Sequence, residues 1–274
     1  MKKTIYLSSL LLFISFCAVS QGNYDASKIP DNLKQDAVAV VRSEEQFYEY
    51  KSISSGMVKY KTVITILSKA GDNYAEFAES YDRFSNIYNI KASLYDATGK
   101  KIKDYKSSDL KDQSLISSYS ILEDSRIKSL TFSSNSYPYT IEYSYTQDFN
   151  GILTLPSWRS LKGYHISTEK STYIFQKNNS LNVRFLTSKD LKTDSTSTNN
   201  KTTYTWIANN VPATTREPLS SGLEDITSWV KIAPNQFEFD SSKGDLSTWN
   251  SMGAWISKLN ENGDELPATT KSMI

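Results

Sequence analysis

The side chains best suited to nucleophilic catalysis are scarce, since cysteine and histidine occur once each, as Cys17 and His165. A cysteine-dependent transferase or protease needs a thiolate, a histidine base and an orienting carboxylate. Cys17 lies in a segment that we assign below to a cleaved leader, so the mature chain would hold no cysteine. A serine nucleophile would have to use His165, yet no G-x-S-x-G turn is present. The sequence therefore predicts no enzyme activity, and it predicts His165 to be a solvent-facing or hydrogen-bonded strand residue.

Metal and cofactor chemistry has equally little support. A single histidine without cysteine excludes the usual zinc sites, and no glycine-rich phosphate loop occurs. Acidic residues concentrate in one region and could bind calcium, but they do not follow the twelve-residue calcium-loop pattern. Any two carboxylates could also meet in a cleft and act on a glycoside. The residues of this acidic cluster are Asp104, Asp109, Asp112, Glu123 and Asp124. The sequence therefore predicts no cofactor and no metal.

The charge balance limits the partners. The 274 residues include 31 Lys and Arg against 30 Asp and Glu, which gives a formal net charge of +1. A nearly neutral chain exerts little long-range attraction on nucleic acid or on an anionic membrane. The sequence therefore predicts no nucleic-acid partner.

Residues 1–20 have the pattern of a signal peptide. Lys2 and Lys3 precede an apolar stretch, Leu7–Val19, that is too short to span a bilayer stably. Ala18-Val19-Ser20 predicts cleavage before Gln21. The alternative is a lipoprotein signal that uses Cys17, which the bulky Phe16 disfavours. We expect an exported protein of the periplasm or cell envelope, without disulfides or a transmembrane segment after cleavage.

Apolar residues recur at every second position in several runs that turn residues separate. Tyr60, Thr62, Ile64 and Ile66 alternate with lysines, and Tyr88, Ile90, Ala92 and Leu94 form a similar set. Residues 96–100 (DATGK) predict a tight turn with glycine at a positive φ. This pattern is typical of antiparallel strands with one buried face. Shorter strands are predicted at 38–41 and 46–50, joined by a charged turn at 43–45.

The clearest predicted strand runs from Tyr137 to Tyr145. Its odd-numbered residues are apolar or aromatic, so Ile141 is predicted to face the interior and Thr140 the opposite, more tolerant face. Pro138 favours an edge or the start of the strand. The aromatic residues could instead form a platform for a glycan or peptide, although alternating aromatics more often form core pairs. The candidate platform residues are Tyr137, Tyr139, Tyr143, Tyr145, Trp158 and Trp206.

Near the C-terminus the apolar period changes to that of a helix. An amphipathic helix is predicted over 245–260, with Asp245 as its cap and Asn262-Gly263 at its end. Its apolar stripe is larger than one face of a short helix usually needs. We therefore predict a docking face for a further domain, with Trp249, Trp255 and Ile256 as the contact residues.

The fold class that follows is mainly β: an antiparallel β-sandwich, with room for a second β lobe, and one C-terminal amphipathic helix. The predicted layout is a signal peptide (1–20), a β-sandwich domain (21–160), a continuing β lobe (161–242), and a helix with a truncated junction to a missing domain (243–274). Tyrosine and threonine enrichment supports the β assignment.

A set of short segments, spread in order along the chain, comprises Ala39–Arg42, Val63–Leu67, Gly71, Ala75–Phe77, Tyr81-Asp82, Ile90–Ala92, Tyr95–Lys100, Tyr137–Tyr143, Trp158 and Ile232–Phe237. Together these segments resemble a bacterial domain of unknown function that typically lies between a signal peptide and a transglutaminase-like domain. The resemblance implies a non-catalytic exported accessory module, which supports a transglutaminase-like domain in cis or in trans or binds an extracellular polymer. The alternative is a standalone envelope protein that binds a glycan or peptide.

Overall fold

The computed structural model describes residues 24–115, 124–188, 191–261, 263 and 268–271, and it confirms the mainly β fold class. The described residues form sixteen strands in several, mostly antiparallel sheets. The strands are β1 (Ala39–Ser52), β2 (Ser55–Ile66), β3 (Glu76–Tyr81), β4 (Ser85–Tyr95), β5 (Lys101–Tyr105), β6 (Lys111–Ser114), β7 (Arg126–Thr131), β8 (Tyr139–Asn150), β9 (Trp158–Arg159), β10 (Ile166–Asn178), β11 (Val183–Thr187), β12 (Asp194–Ser197), β13 (Lys201–Val211), β14 (Trp229–Pro234), β15 (Gln236–Phe239) and β16 (Ser242–Asp245).

Helices are short and few in the described part of the chain. Short 3₁₀ helices occur at 26–28, 69–74 and 107–109. None of the described helices is long and apolar enough to cross a lipid bilayer. The α-helices are α1 (Asp31–Lys34), α2 (Leu223–Ile226), α3 (Trp249–Leu259) and α4 (Ala268–Lys271).

The main sheet has eight strands in the order β12-β13-β10-β1-β2-β8-β4-β5. All neighbours in it are antiparallel except β1 and β10, which run parallel with Ala39 opposite Ile166. This pair joins residues on either side of position 160 into one sheet. The predicted division between a domain at 21–160 and a lobe at 161–242 therefore does not separate two sheets.

Two three-stranded sheets, β3-β7-β6 and β11-β14-β9, supply the aromatic residues that pack on one face of the main sheet, which we call the inner face. Phe77 of β3 meets the rings of Tyr143 and Tyr145 at 5.5 and 5.7 Å between centroids. Trp158 of β9 stacks on Tyr173 of β10, with 6.5 Å between the ring centroids. Burying large aromatic surfaces is the main source of stability in such a sandwich.

The opposite, outer face of the main sheet is covered at one end by residues 24–34. Ile29 and Leu33 pack with Val40 in a small buried cluster, and Tyr24 meets the ring of Tyr95 edge-on at 4.8 Å. Because both faces are covered here, this end of the sheet cannot show a simple apolar–polar alternation. Buried threonines on the outer face follow from this cover, as described below.

Strand β1 is one continuous strand, where the sequence predicted two strands and a turn at 43–45. A bulge between Val41 and Ser43 shifts the register against β2. The extra residue moves Glu44 onto the inner face, where only 2% of its surface is exposed. The turn predicted at 43–45 is therefore wrong. One extra residue at the bulge reverses the side-chain alternation, so the polar residues 43–45 interrupt the apolar pattern without ending the strand.

A second bulge corrects the predicted face of β4. The register against β8 shifts between Tyr88 and Lys91, where Asn89 has φ 54°. Ile87 is buried in place of Tyr88, whose hydroxyl donates to Asp148 at 2.8 Å. The tight turn predicted at 96–100 is confirmed, with Gly99 at φ 83°.

Candidate functional site

Helix α3 has an apolar stripe that the described residues leave largely uncovered. The helix has no buried residue, and Trp249 is 87% exposed while Ile256 and Leu259 are 41% and 54% exposed. Residues spaced by three, four and seven positions share one side of a helix. Trp249, Met252, Ile256 and Leu259 therefore form one continuous strip, which we call the α3 stripe.

Trp255 attaches the helix to the protein at one edge of this stripe. Its ring packs edge-on against Phe237 at 4.8 Å, and its Nε1 donates to Ser242 Oγ at 2.9 Å. Both partners belong to the β15-β16 hairpin. Of the three predicted docking residues, the structure thus places Trp249 and Ile256 at the surface and Trp255, half-buried, against the hairpin.

The start of α3 differs from the prediction. Thr248 is the N-cap, and its Oγ1 accepts from the backbone N–H of Ser251 at 3.0 Å. Asp245 ends β16 and accepts from the N–H of Ser247 at 2.7 Å. Pairing with β15 keeps residues 242–245 extended, so the helix begins four residues later than predicted. Asn260 follows its last residue, and Asn262 lies outside the described residues.

A cleft of about 530 Å³ opens between β3, the end of β8 and residues 151–156. We call it the inter-sheet cleft. Its walls include the aromatic rings of Tyr48, Phe84, Phe149 and Phe239. Gly151 has φ 123°, and a Cβ there would lie 3.0 Å from the Phe239 ring. The glycine is therefore required both by its backbone conformation and by the approach of that ring.

Glu79 is the half-buried carboxylate of this cleft. It lies two residues after Phe77 on β3, so it shares the inner face with that buried ring. Burial raises the pKa of Glu79 above its usual value, while a hydrogen bond with Tyr145 partly opposes that shift. Lys128, directly opposite Glu79 on β7, donates instead to the Ile87 carbonyl at 2.9 Å.

A second buried acid, Glu44, lies deeper between the sheets. Its carboxylate accepts from the Tyr60 hydroxyl at 2.6 Å and from Ser171 Oγ at 2.5 Å, and it pairs with the Lys162 ammonium group. Trp158 donates from Nε1 to Ser171 Oγ at 2.8 Å. Every carboxylate oxygen is thus satisfied, which is the arrangement expected of a structural ion pair.

Tyrosines connect the two acids. The Tyr60 ring lies 6.0 Å from that of Tyr143 and 5.4 Å from that of Tyr145. Burial raises the pKa of Tyr60 well above its usual value, with a further contribution from Glu44. The Tyr60 hydroxyl therefore stays protonated and donates to Glu44, while Tyr145 is a hydrogen-bond partner of Glu79.

His165 is exposed and lies just before β10 rather than within an alternating strand, with φ 60°. Its Nδ1 is 3.2 Å from the Asp36 carbonyl oxygen, and its backbone N–H donates to Thr214 at 2.9 Å. Its carbonyl oxygen accepts from the Val38 N–H at 2.8 Å, just before β10 begins. In the described part of the chain, its ring hydrogen-bonds a backbone carbonyl oxygen and no nucleophilic side chain.

The acidic cluster does not assemble in the described residues. Asp112 pairs with Arg126 at 2.8 Å and Asp124 lies 3.8 Å from Arg83. Asp104 pairs with Lys101 at 3.0 Å, and Asp109 lies 3.8 Å from Lys103. Glu123 lies outside the described residues. Within the described part of the chain, no group of three or more acidic, histidine or cysteine side chains is placed to hold a metal ion.

The predicted aromatic platform is mostly core. Trp158, Trp206, Tyr139 and Tyr145 are all buried, and Tyr143 is half-buried. Tyr137 alone of the six candidates is exposed, and its hydroxyl donates to Asp72 at 2.7 Å. Core pairing, which the sequence also allowed, is the arrangement found.

The fold and these sites define a mainly β module with a cleft between its sheets and an exposed amphipathic helix. A family model described as a domain of unknown function with a solved structure, DUF3857, matches residues 54–215, more than half of the chain. The chain belongs to this family. No curated protein matches the sequence significantly.

A solved structure shares the fold at low sequence identity. A candidate protease from Parabacteroides distasonis aligns over 72% of this chain with 11% identity and a TM-score of 0.62. This chain spans 40% of the length of that protein. An aminopeptidase A from Legionella pneumophila aligns over 77% of this chain and 22% of its own, at 9% identity and a TM-score of 0.34, which is too loose to carry an inference. At 11% identity the first match shows a shared fold and nothing about activity.

Proposed function

We propose that this chain is a non-catalytic, exported accessory module whose helix α3 docks a partner domain of the transglutaminase-like class, in cis or in trans. The observation that carries the proposal is the α3 stripe, in which Trp249 is 87% exposed. Burying a large apolar side chain contributes about 1.5–3 kcal/mol. Three exposed apolar side chains on one side of a helix, together with the half-buried Met252, are typical of an interaction surface.

The fold comparison is consistent with a module of a larger protein. The Parabacteroides protein that shares the fold is longer, since this chain spans only 40% of it. In the described residues, α3 contacts the rest of the protein mainly through the β15-β16 hairpin. A partner domain could therefore reach the α3 stripe without displacing the main sheet.

Binding of a glycan or peptide is the second candidate. Its predicted aromatic platform is largely buried, so that surface does not favour it. The inter-sheet cleft is a separate concave site of a size that suits a small ligand. Its chemistry is considered in the next subsection.

Two tryptophan substitutions test the docking proposal. Trp249→Ser should leave the melting temperature nearly unchanged, because Trp249 is already exposed to water. Trp255→Ser should lower it by several degrees, because the Trp255 ring packs on Phe237 and its Nε1 binds Ser242. Thermal unfolding followed by circular dichroism measures both.

Association is then measured by light scattering from 5 to 200 µM. The unmodified chain should self-associate weakly, or should bind a purified transglutaminase-like domain encoded beside it, and Trp249→Ser should remove either interaction. A chain that stays monomeric, binds no such domain and loses equal stability with either substitution would show the docking proposal to be wrong.

A further inference from the structure

We propose that the inter-sheet cleft binds a primary ammonium group carried on an apolar body, with the Glu79 carboxylate as its ionic partner. The inference is independent of the α3 stripe, since none of the cleft residues belongs to α3. It assigns the chemical class of a ligand to a site in the family fold.

The shape and lining of the cleft fit a small amphipathic molecule. A volume of about 530 Å³ lies within the usual range of ligand pockets. Phe84 and Phe239 pack with their rings tilted by 44° and their centroids 4.5 Å apart, and they form one wall. Phe149 and Leu155 add apolar surface. A ligand of aromatic or branched aliphatic character would bury its body against these rings.

The negative charge of the cleft favours a cationic ligand. Among the described residues, Glu79 and Asp82 are the acidic side chains that line it. Asp82 accepts from the Phe84 N–H at 2.9 Å and from Ser85 Oγ at 3.0 Å, which stabilises the turn into β4. Glu79 has the Tyr145 hydroxyl as its hydrogen-bond partner. An anionic ligand would be repelled by both carboxylates.

The cations nearby in the described structure are engaged elsewhere. Arg83 pairs with Asp240 at 3.0 Å, and Arg126 pairs with Asp112 at 2.8 Å. Lys128, the cross-strand neighbour of Glu79, donates to a backbone carbonyl and lies over the Tyr81 ring. A ligand ammonium group would therefore provide the positive charge that the described residues do not bring to Glu79.

The protonation state of Glu79 gives the binding a pH dependence. Burial raises the pKa of Glu79 above its usual value, so the carboxyl group takes up a proton at a higher pH than an exposed glutamate does. A primary amine stays protonated throughout the acid and neutral range. Binding should be strongest above the raised pKa and should be lost as the pH falls through it, while Tyr145 and Asp82 keep their roles as donor and turn residue.

The probe is 2-phenylethylamine, and 2-phenylethanol is its neutral counterpart of similar shape. Titration calorimetry at pH 7.5 should detect the amine at millimolar affinity or better, and the alcohol should bind at least tenfold more weakly. Lowering the pH stepwise from 7.5 to 4 should weaken the binding of the amine and leave the binding of the alcohol unchanged. Failure to detect the amine at 20 mM, or equal binding of the two compounds, would overturn the proposal.

A pair of glutamate variants locates the site. Glu79→Gln should weaken 2-phenylethylamine at least tenfold and abolish the pH dependence. Glu76→Gln, on the exposed face of the same strand, should change the affinity less than twofold. If the two variants bind 2-phenylethylamine equally well, the ammonium group binds elsewhere and the assignment is wrong.

Thermal unfolding separates this role from a structural one. A raised carboxyl pKa in the folded state means that ionisation of Glu79 at pH 7 disfavours folding. Glu79→Gln should therefore keep or raise the melting temperature at pH 7 while it removes binding. A variant that loses stability and affinity together would indicate a structural role for Glu79, and the proposal would then be wrong.

Discussion

Thr140→Asp is expected to be as damaging as Ile141→Asp, although the two side chains point to opposite faces of β8. Ile141 is fully buried between Ile64 and Leu94 in the neighbouring strands. Thr140 is also fully buried, and its hydroxyl shares a 2.9 Å hydrogen bond with Thr65. An aspartate at either position would be removed from water, which strongly disfavours its charged form.

The expected loss is large at neutral pH. Keeping an aspartate protonated at pH 7, about three units above its ordinary pKa, costs about 4 kcal/mol. The free energy of unfolding of a natural protein is about 5–15 kcal/mol. Each variant should therefore lower the melting temperature by about 10 °C or more, or fail to fold. The loss should shrink as the pH falls toward 4, because the introduced carboxyl group is then neutral in the unfolded chain as well.

Two controls show whether the faces are assigned correctly. Ser144→Asp lies on the same face as Thr140 but beside the exposed Lys61, and it should be tolerated within about 1 kcal/mol. Thr65→Val combined with Thr140→Val removes both hydrogen-bond partners together and should cost less than either single change. A mild effect of Thr140→Asp, close to that of Ser144→Asp, would show that residues 24–34 do not cover this face in solution.

The burial of Thr140 also shows where sequence periodicity stops being informative. The alternation along β8 correctly placed Ile141 in the core, since a period of two is a property of the strand itself. The cover on the other face comes from Tyr24, Ile29 and Leu33, more than one hundred residues earlier in the chain. No local pattern around Thr140 reports a contact with so distant a segment.

The acidic residues of the interior were missed for a related reason. Glu44 follows a β-bulge, and no residue type in this segment predicts that bulge. Neighbouring charged residues are usually exposed to solvent, so burial of Glu44 was not expected. Glu79 could have been found, because Phe77, Glu79 and Tyr81 alternate and must share one face of β3. The sequence predicted the amphipathic stripe of α3. The helix begins four residues later than predicted because β15 pairs with β16, a contact that the helical period does not report.

The inward position of Glu44 leads to a second large effect: Lys162→Met should lower the free energy of unfolding by about 3 kcal/mol. The Glu44 side chain is fully buried, while that of Lys162 keeps 30% of its surface exposed. Removing one partner of a buried ion pair leaves a charge without compensation, which costs about 3–5 kcal/mol. The exposure of Lys162 places the expected value at the low end of that range.

Chemical denaturation with two companion variants tests this assignment. Lys61→Met breaks an exposed pair with Glu142, where the lysine side chain is 56% exposed, and should cost at most about 1 kcal/mol. Glu44→Gln added to Lys162→Met removes the buried charge, and Tyr60 can still donate to the amide oxygen, so part of the lost stability should return. Equal losses from Lys162→Met and Lys61→Met, or no recovery in the double variant, would mean that Lys162 does not neutralise Glu44 in solution.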